Sequence, residues 1–143
     1  MVCLGNICRS PLAEGVLNNK LPKDNFIVDS AGTSGDHIGR SPDKRSVQIA
    51  AQNGIDISNQ KARKFSPGDF DKFDKIFAMD RSNLDHIRKM AQTPHDLNKV
   101  SLLLKNKEVP DPYHGNQDAF KRVFNLIDQA CEDLCDQLLK MKS

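Results

Sequence analysis

The sequence has no apolar run approaching the roughly 18 to 20 residues of a membrane span, and its start shows no basic stretch followed by an apolar signal core. A cytoplasmic protein with no membrane partner is therefore expected. Cysteine is sparse, four residues in 143, with no pair of Cys-x-x-Cys runs and no Cys/His cluster. Such usage builds neither a disulfide framework nor a tetrahedral metal site, so no metal and no cofactor is expected. Net charge is also small: 21 Lys and Arg against 19 Asp and Glu leave +2, too little to argue for nucleic acid. There is no repeat, low-complexity tract or linker. One domain over residues 1–143 with a sizeable core is what remains.

Against that plain background one stretch carries chemistry: Cys3-Leu4-Gly5-Asn6-Ile7-Cys8-Arg9-Ser10-Pro11. A thiol and a guanidinium flank a five-residue turn, and Ser10-Pro11 reads as a helix start, with Ser10 as N-cap and Pro11 at the first helical position. A loop that feeds a helix N-terminus is an anion site, because backbone N–H groups and the positive end of the macrodipole point the same way. Gly5 and Asn6 would supply the unusual backbone angles of such a cradle. Arg9 offers a fork matched to two phosphate oxygens. Cys3, at the floor of this positive field, is expected as a nucleophilic thiolate. Ser10 has two jobs open to it, capping the helix or donating to the Cys3 sulfur.

The rest of the chain alternates strand and helix. Pro11–Leu21 has helical spacing, Phe26-Ile27-Val28 reads as a strand, and Ser30–Arg40 reads as a loop closed by a second cap-plus-proline start at Ser41-Pro42. Val47, Ala50 and Ala51 mark a helix that Gly54 stops. Ser66-Pro67 opens a short helical turn with Phe70 and Phe73. Strands are expected at Lys75–Met79 and around Val100–Leu104, with a helix at Asn83–Met90 between them. Phe120, Val123, Phe124, Ile127, Cys131, Leu134 and Leu138 trace one face of a long last helix, which makes Cys131 and Cys135 core residues. His86 and His95 read as surface residues. This order predicts an α/β domain with a parallel, helix-covered sheet and a ligand site beyond the carboxyl ends of the strands.

Residues Cys3 to Pro11 resemble the phosphate loop of the low-molecular-weight protein tyrosine phosphatases, and Asp111-Pro112-Tyr113 resembles that family's general-acid loop. Asp29-Ser30-Ala31-Gly32-Thr33, Ala62-Arg63 and Ala78-Met79-Asp80 are similar to family segments too. The resemblance implies a single three-layer domain of flavodoxin-like type, a four-stranded parallel sheet with helices on both faces and the phosphate loop at the switch point. It also implies hydrolysis of phosphotyrosine and small aryl phosphates through a cysteinyl-phosphate. Cys3 would be the nucleophile, Arg9 the phosphate and transition-state ligand, Ser10 the stabiliser of the thiolate and Asp111 the general acid and base. Leu4, Gly5, Asn6, Ile7, Cys8 and Tyr113 would contact substrate. Cys8 would be either a reversible disulfide partner of Cys3 or a packing residue. A metal-independent monomer, inhibited by phosphate-like oxyanions, completes the expectation.

Bulky Ile7 favours phosphotyrosine over phosphoarginine, and the lack of cysteine between Cys8 and Cys131 sets aside a thioredoxin-coupled arsenate reductase. A phosphate-binding module without turnover would need neither a nucleophile nor a proton donor. Three positions depart from the family pattern: Asp36-His37 where an aromatic is common, Gln60 where His is common, and His114 in place of a second Tyr. Only Met1 and Val2 precede Cys3, so the first strand is expected to be truncated.

Overall fold

Two apolar clusters sandwich a short sheet, and the strands deal their side chains alternately to each. The computed structural model describes residues 1–142, leaving Ser143, the last residue of the expected domain, outside. β1 (Val2–Cys3), β2 (Ala31–Gly32), β3 (Ile76–Ala78) and β4 (Val100–Leu102) form one parallel sheet in the order β2-β1-β3-β4. Met1 and Cys3 pack into one cluster and Val2 into the other, as the two-residue period of a strand requires. The first cluster unites α1 (Arg9–Lys20), α2 (Lys44–Gln52) and α6 (Gln117–Lys142). The second holds α3 (Asp69–Lys72) and α4 (Arg81–Met90) against the other face. A five-residue α5 (Pro94–Asn98), capped by Thr93, precedes β4 and was not foreseen.

Although β1 has only two residues, it lies at the centre of the sheet and is paired on both sides, Val2 with Ala31 and with Ala78. β2 and β3 flank it, so the chain leaves β1 for opposite sides of the sheet in turn. That is the switch point of a doubly wound sheet, and the Cys3–Pro11 loop occupies it.

Four local expectations need correcting. The second strand is Ala31–Gly32, inside the stretch read as loop, while Phe26-Ile27-Val28 forms no strand. Phe26 and Val28 pack on the core and Ile27 is exposed, so their alternation records packing on one side without sheet pairing. Small residues suit the true strand because the Cys3–Pro11 loop crosses it: a Cβ on Gly32 would stand 2.8 Å from the Leu4 carbonyl oxygen and 3.1 Å from the Asn6 nitrogen. α1 starts at Arg9, with Cys8 in the cap position and no side-chain cap. Ser10 is therefore inside the first turn, and Pro11 is tolerated there because the N–H it lacks would be unpaired anyway. Likewise Asp43, two residues after Ser41, caps α2 by accepting from the Arg45 N–H at 2.8 Å. Gly54 does stop α2 as expected, with φ +77 and the Ile55 N–H reaching back to the Ala50 carbonyl.

Candidate active site

Asn6 organises the loop. It alone of the Gly5–Asn6 pair takes the left-handed conformation, with φ 58, a conformation asparagine tolerates better than most residues. Gly5 serves close approach instead, since a Cβ there would meet the His37 ring at 2.9 Å. The buried Asn6 amide then uses both ends: Nδ2 donates to Ser10 Oγ at 2.8 Å and Ser30 Oγ at 3.0 Å, and Oδ1 accepts from the Arg63 N–H at 3.0 Å. Ser30 in turn donates its hydroxyl hydrogen bond to Glu14 Oε1 at 2.7 Å. Burial raises the Glu14 carboxyl above its ordinary range, with Asp29 adding to the rise and the Ser30 hydroxyl, the Met1 ammonium and Arg63 opposing it.

At the floor lies the Cys3 sulfur, buried, with Ser10 Oγ at 3.0 Å and the Asn6 N–H donating from 3.3 Å. Ser10 Oγ and the Asn6 N–H thus both face the sulfur, which lies beside the N-terminus of α1, a helix with no acidic residue in its first turn. Cys8, also buried, is different: burial pushes its thiol up to about 12, and the charges of Asp43, Cys3 and Asp111 push the same way.

Arg9 leaves the first turn of α1 and is held by side chains and backbone from the far end of the chain. Its Nη1 donates to Asp80 Oδ2 at 2.7 Å and to the Val109 carbonyl at 2.9 Å, while Nη2 stands 3.7 Å from Asp111 Oδ2. Asp80 does two things at once, since its other oxygen caps α4 through the Asn83 N–H. In the sequence Asp80 stands out only within the family-like segment Ala78-Met79-Asp80 and Glu14 not at all; their partners lie 71 and 16 residues away.

A cavity of about 240 Å³ opens over the loop, with Cys3, Arg9, Ile7, Asp111, Tyr113 and His37 among the residues in its wall. It therefore brings together every expected catalytic side chain except Ser10, which lies beneath. Leu4 and Tyr113 stand exposed at its rim, and Asp36 and His114 also face it, so two of the three departures from the family pattern sit at the mouth. The third, Gln60, donates to the Pro11 carbonyl at 3.0 Å and makes no bond to Asn6. A larger cavity of about 650 Å³ lies among Phe26, Val28, Phe65 and Phe73, and no cysteine is among the residues in its wall. Among the described residues no group of three or more His, Cys, Asp or Glu side chains converges as a metal site would. None of the described helices is long and apolar enough to cross a membrane.

A thiol under hydrogen-bond donors, a buried guanidinium and a carboxylate beside it are the parts of a nucleophilic phosphoryl-transfer site. The family model for low molecular weight phosphotyrosine protein phosphatase matches residues 1–143. The chain belongs to that phosphatase family. Its relatives include the low molecular weight phosphotyrosine protein phosphatase of Dictyostelium discoideum, 42% identical over 88% of this chain and 84% of that one. Among solved structures, the protein tyrosine phosphatase of Entamoeba histolytica superimposes with a TM-score of 0.92, 35% identical over 99% and 96% of the two chains. The Vibrio vulnificus protein Wzb in complex with benzylphosphonate gives 0.88, with 31% identity over 95% and 94%. This low molecular weight phosphatase fold thus keeps its four-stranded parallel sheet even with a two-residue central strand.

Proposed function

We propose that the protein is a cytoplasmic, metal-independent phosphotyrosine phosphatase working through a cysteinyl-phosphate. The observation that carries this reading is the stack Asn6–Ser10–Cys3 under a wall that also bears Arg9 and Asp111. Cys3 sulfur attacks phosphorus as the bond to the tyrosyl oxygen breaks, and protonated Asp111 gives its proton to that oxygen. Arg9, kept rigid by Asp80 and Val109, binds two equatorial oxygens with the donors left to it. Water then attacks phosphorus, Asp111 takes its proton, and sulfur leaves as thiolate, its charge met by the Ser10 hydroxyl and the Asn6 N–H. Free enzyme and inorganic phosphate result.

Leu4, Gly5, Asn6, Ile7 and Cys8 form the rest of the phosphate cradle, and Tyr113 at the rim offers a face to the substrate ring. Benzylphosphonate, which accompanies the Vibrio vulnificus relative, pairs an aromatic ring with a tetrahedral phosphorus anion; the same two features suit this cavity. Phosphate-like oxyanions should compete for the cradle, and a monomer suffices for the chemistry. Cys8, buried in the wall of the same cavity, keeps both of its readings, a reversible disulfide partner of Cys3 or a packing residue.

The test is steady-state hydrolysis of a phosphotyrosyl peptide with chelator present, beside Cys3→Ser. Turnover should survive chelation, vanish in the variant and be far weaker on phosphoarginine. Folded protein without turnover would leave only phosphate binding.

A further inference from the structure

The two loops that must meet for this reaction are distant in sequence, and one short segment touches both. The Asp43 N–H donates to the Ile7 carbonyl at 2.8 Å, inside the phosphate loop. Two residues on, Arg45 reaches the other way: Nη2 donates to the Tyr113 carbonyl at 2.9 Å and Nη1 to the Gly115 carbonyl at 3.1 Å, both in the loop that carries Asp111. The guanidinium is not free to wander. Asp43 Oδ1 accepts from its Nε at 3.1 Å, Asp43 Oδ2 accepts from Nη2 at 3.0 Å, and its carbon lies 4.4 Å from the centre of the Phe120 ring. Burial alone would raise the Asp43 carboxyl, but the Arg45 side-chain and backbone hydrogen bonds outweigh it and hold the group below its ordinary value.

From this geometry we infer that Arg45, aligned by Asp43, is a positioning residue for the reaction: it fixes the Asp111 loop in register with the Cys3 loop. The inference rests on the reading of Asp111 as proton donor. Asp111 itself has little else to hold it, since one oxygen accepts from the Tyr113 N–H at 3.1 Å and the other stands 3.7 Å from Arg9. Arg45 binds the backbone on the C-terminal side of Asp111, so it sets where that carboxylate stands without touching substrate. An arginine is needed because a planar fork can serve two carbonyls and a carboxylate together, which a lysine ammonium cannot.

A proton donor matters only when the leaving oxygen is a poor leaving group. The experiment is therefore kcat/KM of Arg45→Ala, Arg45→Lys and Asp43→Asn on a phosphotyrosyl peptide and on an aryl phosphate of an electron-poor phenol. The same Arg45→Ala change is also made in an Asp111→Asn background. Arg45→Ala should lose roughly ten- to hundredfold on the peptide, a share of the ~10²–10⁴ that a placed acid supplies, and less than about threefold on the electron-poor substrate. Arg45→Lys should recover only part of this. Asp43→Asn, which keeps a cap at α2, should show the same substrate dependence with a smaller loss. In the Asp111→Asn background, Arg45→Ala should cost no more than about twofold, the sign of two residues acting through one step. Equal losses on both substrates, or the same loss with and without Asp111, would overturn the inference and leave Arg45 a stabilising contact. If Asp111→Asn alone leaves peptide turnover intact, the proton-donor reading falls, and this inference falls with it.

Discussion

Ser10 Oγ lies 3.0 Å from Cys3 Sγ while accepting the Asn6 amide N–H at 2.8 Å. With one lone pair occupied by Asn6, the hydroxyl proton is free to turn toward sulfur. Its alternative acceptor, the Ala31 carbonyl, is 3.4 Å away. The loop thereby sets a residue with the chemistry of a helix cap where, in the proposed reaction, it can donate to the leaving thiolate.

Ser10→Ala should slow breakdown of the intermediate more than its formation. The expected result is a kcat on phosphotyrosyl peptide lower by ten- to a hundredfold with kcat/KM less affected, the magnitude of losing one donor at a charged centre. Asn6 keeps Ser30 as an acceptor, so the stability loss should be about 1 kcal/mol by denaturant titration. A burst of phenol release, larger in the variant than in the parent, would show the intermediate accumulating.

Arg9→Lys should be nearly inactive although charge is retained. An ammonium cannot hold Asp80 and Val109 and still present two parallel donors to phosphate. We expect a loss of at least a hundredfold in kcat/KM and weaker competition by inorganic phosphate. Recovery of a tenth or more of the parent's activity would mean that charge alone suffices.

The four thiols should react unequally with iodoacetate. Burial pushes Cys8 and Cys131 up to about 12, and at pH 7 both remain thiols. Peptide mapping after brief treatment should find the label on Cys3, with protection by inorganic phosphate. Label on Cys8 at a comparable rate would contradict the contrast between the two loop cysteines.

Glu14 makes a pH-dependent contribution with a definite sign. Burial raises its carboxyl above the ordinary 4.5, so the folded chain holds this proton more tightly than the unfolded chain. Its stabilising contribution is complete below about 4.5 and is lost as pH rises through the folded value. Glu14→Gln keeps an acceptor for Ser30 and never ionises. Its Tm relative to the parent should therefore improve between pH 4 and pH 7; a constant difference would show that Glu14 titrates normally.

What local chemistry encodes was legible in the sequence. The apolar stripe of α6, the Gly54 stop, the helix that ends at Met90 and the Cys3–Pro11 loop each follow from neighbours within a turn or two. The misplaced second strand shows the limit: Phe26-Ile27-Val28 looks more like a strand than Ala31-Gly32 does, but the loop that crosses β2 demands small residues. Of the two jobs open to Ser10, capping is excluded by the start of α1 at Arg9, and its place 3.0 Å from a sulfur seven residues back depends on the loop's fold. The link from Arg9 to Asp80 and that from Arg45 to the Tyr113 carbonyl span 71 and 68 residues, and no periodicity announces them.

Gly32 extends this point to the limits on change in the molecule. It touches no substrate in the proposed reaction, yet the backbone of Leu4, Gly5 and Asn6 rests within 3.1 Å of where its side chain would begin. The sheet is the mould against which the anion cradle is cast, and backbone, unlike a flexible side chain, cannot step aside. Even one methyl group at position 32 would press on the loop backbone that, in the proposed reaction, faces phosphate. In a library of variants selected for turnover, this site should tolerate as little as Cys3 itself.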